Sequence, residues 1–200
     1  YKAGNYFPKY IAYTALPGII TVLIGSWLIT LGDWYRKEIF NLVFAALLIP
    51  AVIRMLSSRK DPDHLKSDIP LKKFALVGAI TGAFTAFSGL GGGLVMIPAF
   101  VNMLKLEMKK AVSVSAGVVP FFALPTALYY MLQTPLQTEL TVHHWGYILY
   151  PLVIPMVLGT LLTVPIGVKT GHRIAPSTAK LIFSVFAVLV LVKMLWENLR

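Results

Sequence analysis

The chain has 200 residues, of which 57% are hydrophobic and only 13% charged, with a mean hydropathy of +0.74. A soluble domain is about a quarter charged, so this composition excludes an ordinary soluble fold and defines an all-α polytopic membrane protein whose first partner is the lipid bilayer. The net charge of +10 arises from 18 Lys and Arg against 8 Asp and Glu; in so apolar a chain the excess reads as topology signals in loops, and no nucleic-acid partner is expected.

Six apolar tracts approach the length of about 20 residues that a membrane-spanning helix needs. Tract A runs from Tyr10 to Leu31 and tract B from Ile39 to Leu56. A polar linker, 57–73, follows. Tract C, Phe74 to Leu104, contains the glycine cluster "SGLGGG". Tract D covers Ala111 to Leu132, tract E Trp145 to Gly167 and tract F Thr178 to Leu195. Aromatic residues mark several tract ends, among them Tyr10, Trp34, Tyr129, Tyr130, Trp145 and Trp196, as in interfacial belts.

Shifting the chain by 139 positions lays A–B on E–F: Thr21 meets Thr160, Leu23 meets Leu162, Gly32 meets Gly171, Phe44 meets Phe183, and Arg54-Met55-Leu56 meets Lys193-Met194-Leu195. Residues 1–56 therefore read as the second half of one repeat and 74–200 as a whole second repeat. On that reading, counterparts of C and D are expected upstream of Tyr1. The opening "YKAGNYFPKY" has no signal-peptide pattern and does not begin with Met.

Tract C poses a topological choice: a single crossing, or a re-entrant pair of half-helices that returns to its own side. A crossing would distribute the basic residues eight against ten, with no orientation signal; re-entry distributes them fourteen against four. The positive-inside rule favours re-entry, three crossings per repeat, inverted repeats and a cytoplasmic linker.

Glycine costs about 1 kcal/mol in a helix relative to alanine. The four glycines of the cluster, Gly89 and Gly91 to Gly93, are expected to break tract C. Gly78 and Gly82 suit close helix packing at small-xxx-small spacing, which needs no ligand. The denser cluster suits a binding turn: broken backbone is tolerated in lipid only when sheltered or lining a wet cavity. A half-helix starting at Leu94 would present its unpaired N–H groups and positive dipole end to an anion. The expected anion site comprises Ser88, Gly89, Gly91, Gly92, Gly93 and Leu94, with Ser113 and Ser115 donating from tract D. Pro98 is placed near the first turn of the half-helix. Gly117, Pro120 and Pro125 are read as breaking or kinking tract D.

The deep parts of the tracts hold no Asp, Glu or His, so a buried carboxylate relay is not expected. His143 and His144 fall in a loop between D and E, and a pair there suits solvent better than metal. No metal-ligand spacing, nucleophile elbow or P-loop is present. With no cysteine, disulfides and thiolate sites are excluded too. Neither a cofactor nor enzymatic chemistry is expected.

The segments "GAFTAFSGLGGGLVMIPAF" and "AVSVSAGVVPFFALPTALYYM" resemble the TauE/SafE sulfite-exporter family of membrane permeases. Members combine a Gly-rich turn, a short apolar run to Pro and an Ala-x-x-x-Ser segment, matched here by Gly89 to Gly93, Pro98, and Ala111 with Ser115. The resemblance implies transport of a small sulfur-containing anion, such as sulfite or an organosulfonate, across the inner membrane. An anion channel and a non-transporting assembly or sensor subunit are the alternatives, and a homo-oligomer stays open. Single cysteines at Asp63 and Thr138, labelled from outside intact cells, test the orientation. Thr138 should react and Asp63 should not; the reverse would invert the topology.

Overall fold

The structure, a computed structural model, describes residues 7–31, 37–57, 69–89, 92–134 and 143–199. Most of the linker, the loop 135–142, Gly91 and both proposed labelling positions lie outside the described residues. Seven helices are present among those described: α1 (Pro8–Thr30), α2 (Lys37–Ser57), α3 (Leu71–Ser88), α4 (Gly93–Met103), α5 (Met108–Leu132), α6 (Tyr150–Arg173) and α7 (Pro176–Leu199). Four of them, α1, α5, α6 and α7, are long and apolar enough to cross a membrane. The chain is thus an all-α polytopic membrane protein, as its composition requires.

Tract C is divided. Helix α3 stops at Ser88, and α4 begins at Gly93 and is only 11 residues long. The two arms run antiparallel. Phe74, near the start of α3, meets Phe100, near the end of α4, with ring centroids 5.9 Å apart. Phe74 also stacks on Tyr10 of α1 at 4.4 Å with the rings 3° from parallel. The apolar cluster around these rings takes in Met55 at the end of α2, Leu106 and Met108 at the start of α5, and Ala179 of α7. One end of the bundle therefore gathers the starts of α1, α3, α5 and α7 with the ends of α2 and α4. Arg54, Lys72, Lys73, Lys105, Lys109, Lys110 and Lys180 all belong to that end, called here the basic end.

Close backbone approach fastens α1 to α3. A Cβ at Gly78 would overlap the Thr14 carbonyl, and one at Gly82 would overlap the Gly18 carbonyl and the Thr21 hydroxyl. Small residues let helices approach this closely, which replaces a hydrophobic driving force that lipid cannot supply. Helix α5 leans on the same pair: Gly117 accommodates Ile11, and the Tyr129 hydroxyl lies 2.6 Å from Thr30 Oγ1. Gly117 is thus a packing position inside α5.

Helices α2 and α7 form a second pair. Ala45, Leu48 and Val52 are buried on α2, and Ser184, Ala187 and Leu191 on α7. These positions are 139 apart, as are the first residues of the two helices. The α1/α6 pair does not follow that offset. It starts at Pro8 and Tyr150, and α1 is embedded in the bundle while none of the 22-residue span Tyr150–Gly171 of α6 is buried.

Three features differ from the sequence expectations. Helix α5 runs continuously through Pro120 and Pro125. Each proline removes one ladder bond, and neighbouring helices and local adjustment allow a membrane helix to absorb that loss. Pro98 is the sixth residue of α4, in its second turn, where its missing N–H would have met the Leu94 carbonyl. Tract E does not begin as helix at Trp145. A short hairpin comes first, β1 (His144–Trp145) paired with β2 (Ile148–Leu149), turning at Gly146 with φ 57°.

Replacing Gly78 by Ala is expected to destabilise the protein by about 1–3 kcal/mol through overpacking. The same change at Gly159, where an added Cβ meets nothing within 4 Å, is expected to be neutral or stabilising by up to about 1 kcal/mol. Thermal melts of the two variants in detergent distinguish a packed ridge from an open one.

Candidate functional site

The turn between α3 and α4 is built by glycine conformations. Gly89 closes α3 with φ 65°, and its N–H donates to the Thr85 carbonyl at 3.0 Å. Gly92 caps α4 with φ 73°, and its carbonyl accepts the N–H groups of Val95 and Met96 at 3.2 and 2.9 Å. Both sit in the left-handed region that L side chains rarely adopt. A Cβ at Gly92 would also strike the Thr85 hydroxyl and press on the Phe122 ring. The N-terminus of α4 is therefore pinned between α3 and α5.

Beside this turn lies a cleft of about 490 Å³ formed by the end of α3, the second half of α5 and the hairpin. Thr85, Gly89, Phe122, Thr126, Tyr130 and Tyr147 line it. Phe122, Thr126 and Tyr130 recur every four residues, so one face of α5 forms a wall. The Tyr130 and Tyr147 rings meet edge to face at 6.1 Å. The hairpin is fixed there by the Tyr147 N–H, which donates to the Tyr130 carbonyl at 3.1 Å. Gly146 fits so tightly over the Tyr130 and Met131 carbonyls that an added Cβ would overlap them.

Among the described residues no ionisable acid or base other than tyrosine lines this cleft. Its polarity comes from hydroxyls and from backbone. The Thr85 hydroxyl donates to the Thr81 carbonyl at 2.6 Å, and that of Thr126 to the Phe122 carbonyl at 2.7 Å. The first N–H groups of α4 lack intrahelical acceptors by construction, and the helix dipole places partial positive charge at the same point. Such an arrangement can hold an anion with no formal counter-charge.

The sequence-predicted residues divide into two groups. Gly89, Gly92, Gly93 and Leu94 are brought together at the turn, with Ser88 as the last residue of α3. Ser113 and Ser115 are not. Their hydroxyls donate to the Lys109 and Val112 carbonyls at 2.9 and 3.1 Å. They lie seven or more residues before Phe122, the α5 residue that touches Gly92, which is about 10 Å along the helix. Sequence reasoning missed Thr85, Thr126, Tyr130 and Tyr147. The four-residue spacing from Phe122 to Tyr130 was the available signal for Thr126 and Tyr130; Tyr147 had none, because the hairpin was not foreseen. Among the described residues no group of three His, Cys, Asp or Glu could hold a metal ion. His144 Nδ1 instead lies 3.1 Å from the Gly146 carbonyl at the surface.

Among the described residues seven helices, four of them long and apolar enough to cross a membrane, define a multi-pass membrane protein. The chain belongs to the sulfite exporter TauE/SafE family, whose model matches residues 1–194. It is 28% identical over 152 residues to a probable membrane transporter protein of Methanocaldococcus jannaschii, covering 76% of this chain and 55% of that relative. A probable membrane transporter protein of Haemophilus influenzae is 26% identical over 198 residues, covering 97% of this chain and 72% of the relative. A third, from Xylella fastidiosa, is 28% identical over 120 residues, covering 58% of this chain and 45% of its own length. The chain thus spans only about half the length of the archaeal relative. No solved structure matches significantly.

Gly92→Ala should destabilise more than Gly89→Ala. Both changes strain a left-handed residue by about 1–2 kcal/mol, but only the first also collides with Thr85 and Phe122, since nothing lies within 4 Å at Gly89. Melting temperatures of the pair measure the difference, and equal losses would mean the α4 N-terminus is not pinned as described.

Proposed function

We propose that the protein acts as a secondary transporter for a small sulfur-containing anion, sulfite or an organosulfonate, held where α4 begins. The observation that carries this reading is a turn of two left-handed glycines, Gly89 and Gly92, at the start of α4, with Gly89 on a cleft whose described lining holds no carboxylate. Oriented N–H groups and a helix dipole suit a sulfonate or sulfite oxygen, and their exposure is tolerated in lipid only beside a sheltered cavity. Tyr130 supplies a phenol hydroxyl at the same cleft. Movement of one helix set against another would then alternate access to the anion.

The basic end is proposed to face the cytoplasm. Both ends of the α3–α4 hairpin carry lysines there, at Lys72 and Lys73 and at Lys105, Lys109 and Lys110, in the sense the positive-inside rule requires. The family membership supports transport as the activity and suggests the sulfur-containing anion; where that anion binds is proposed from the site.

A thermal-shift screen with sulfite, sulfoacetate, taurine, sulfate and thiosulfate tests the assignment. At least one should raise the melting temperature in proportion to the logarithm of its concentration above Kd. Tyr130→Phe should weaken that ligand by about ten- to a hundredfold, the worth of one hydrogen bond to an anion, and leave the ligand-free melt within a few degrees. A screen in which no anion has any effect would remove the support for the site.

A further inference from the structure

A second cavity, separate from the cleft at the glycine turn, lies between α2 and the α3–α4 hairpin. Its volume is about 330 Å³. The inner part is apolar, walled by Phe44, Leu48, Phe84 and Val95. Its mouth, at the basic end, carries Arg54 and Asn102. From Phe44 to Arg54 is ten residues of α2, so the groove runs about 15 Å along the helix.

The groove is a product of local chemistry. Pro50 of α2 and Pro98 of α4 both line it. Each removes a ladder hydrogen bond and bulks out its helix surface, which works against a flush contact. At the mouth the Asn102 amide donates to the Ala51 carbonyl at 2.8 Å. This bond ties the end of α4 to α2 while the space behind it stays open. Arg54 has no carboxylate partner among the described residues, and Glu107, at the same end, pairs with Lys110 at 3.6 Å.

We propose that this groove holds one acyl chain of an anionic phospholipid from the surrounding bilayer, with the lipid phosphate paired to Arg54. The groove is apolar for most of its length and cationic at one end, and that polarity favours an anionic lipid over a zwitterionic one, whose own cationic group offsets its phosphate. Arg offers a planar fork that matches a phosphate. Anionic lipids are drawn to basic residues at the membrane surface, and the mouth sits among Lys72, Lys73 and Lys105. A lipid seated here would touch both α2 and α4. It would therefore bias the position of the helix whose other end forms the glycine turn.

The test is native mass spectrometry of the purified chain in mild detergent, titrated with phosphatidylglycerol and with phosphatidylcholine of the same acyl chains. Wild type should bind one lipid tightly and prefer phosphatidylglycerol by about fivefold. Arg54→Gln should erase the preference and still bind both lipids, and Arg54→Lys should keep it. Ala99→Trp, which fills the groove, should lower binding of both. Far-UV circular dichroism melts establish that each variant is folded, and the Arg54 pair decides the matter even if the tryptophan is not tolerated. Equal binding of the two lipids by wild type would overturn the proposal, as would an unchanged preference in Arg54→Gln. So would undiminished binding in folded Ala99→Trp, or a short alkanesulfonate that displaces phosphatidylglycerol from the groove.

Discussion

Hydrocarbon offers no hydrogen bonds, so the backbone groups of a membrane protein must find their partners inside the protein. This constraint explains most of the structure. Hydroxyls along the helices turn back on their own chain: Thr14 donates to the Tyr10 carbonyl, Thr81 to Val77, and Thr163 to Gly159. The same rule decides where the chain can afford to leave helical geometry. Between α3 and α4 it does so beside Thr85 and Phe122, with α1 behind and the hairpin at the outer rim. Gly89, at the end of α3, opens on the cleft, and Gly92, at the start of α4, is buried.

Two helix pairs organise the remainder. Helices α1 and α3 meet backbone to backbone and act as one slab, with α5 fitted against them. Helices α2 and α7 meet through larger side chains, with Phe44 and Leu48 buried at their contact. The short α4 touches members of both. Its beginning is fixed by Thr85 and Phe122, and its end is tied to α2 through Asn102. A displacement of one pair against the other must therefore be felt along α4, from the basic end to the glycine turn. In this way an 11-residue helix can couple the two pairs without carrying a charge.

Much of this was legible in the sequence because membranes impose simple rules. Tract lengths, the break at the glycines and the location of the lysines follow from hydropathy, helix propensity and charge. The prolines were less readable. Pro120 and Pro125 look like breaks one at a time, yet α5 is continuous, because a helix held by neighbours survives the loss of single bonds. Ser113 and Ser115 looked like ligands because they are polar in an apolar run. Their hydroxyls are spent on the helix itself, and position along α5, which a motif does not encode, carries them away from the turn. Tyr147 reached the cleft through a hairpin whose four strand residues leave too short a pattern to recognise.

The antiparallel arms of α3 and α4 have a bearing on biosynthesis. A helix that crosses the bilayer must send one flank through it. Here both flanks of the pair, Lys72 with Lys73 and Lys105 with Lys109 and Lys110, lie at one end, so the hairpin can enter as a loop led by its uncharged glycine tip. No lysine then has to be translocated. Four glycines among residues 89–93 keep that tip small and uncharged, which suits it to travel first into lipid.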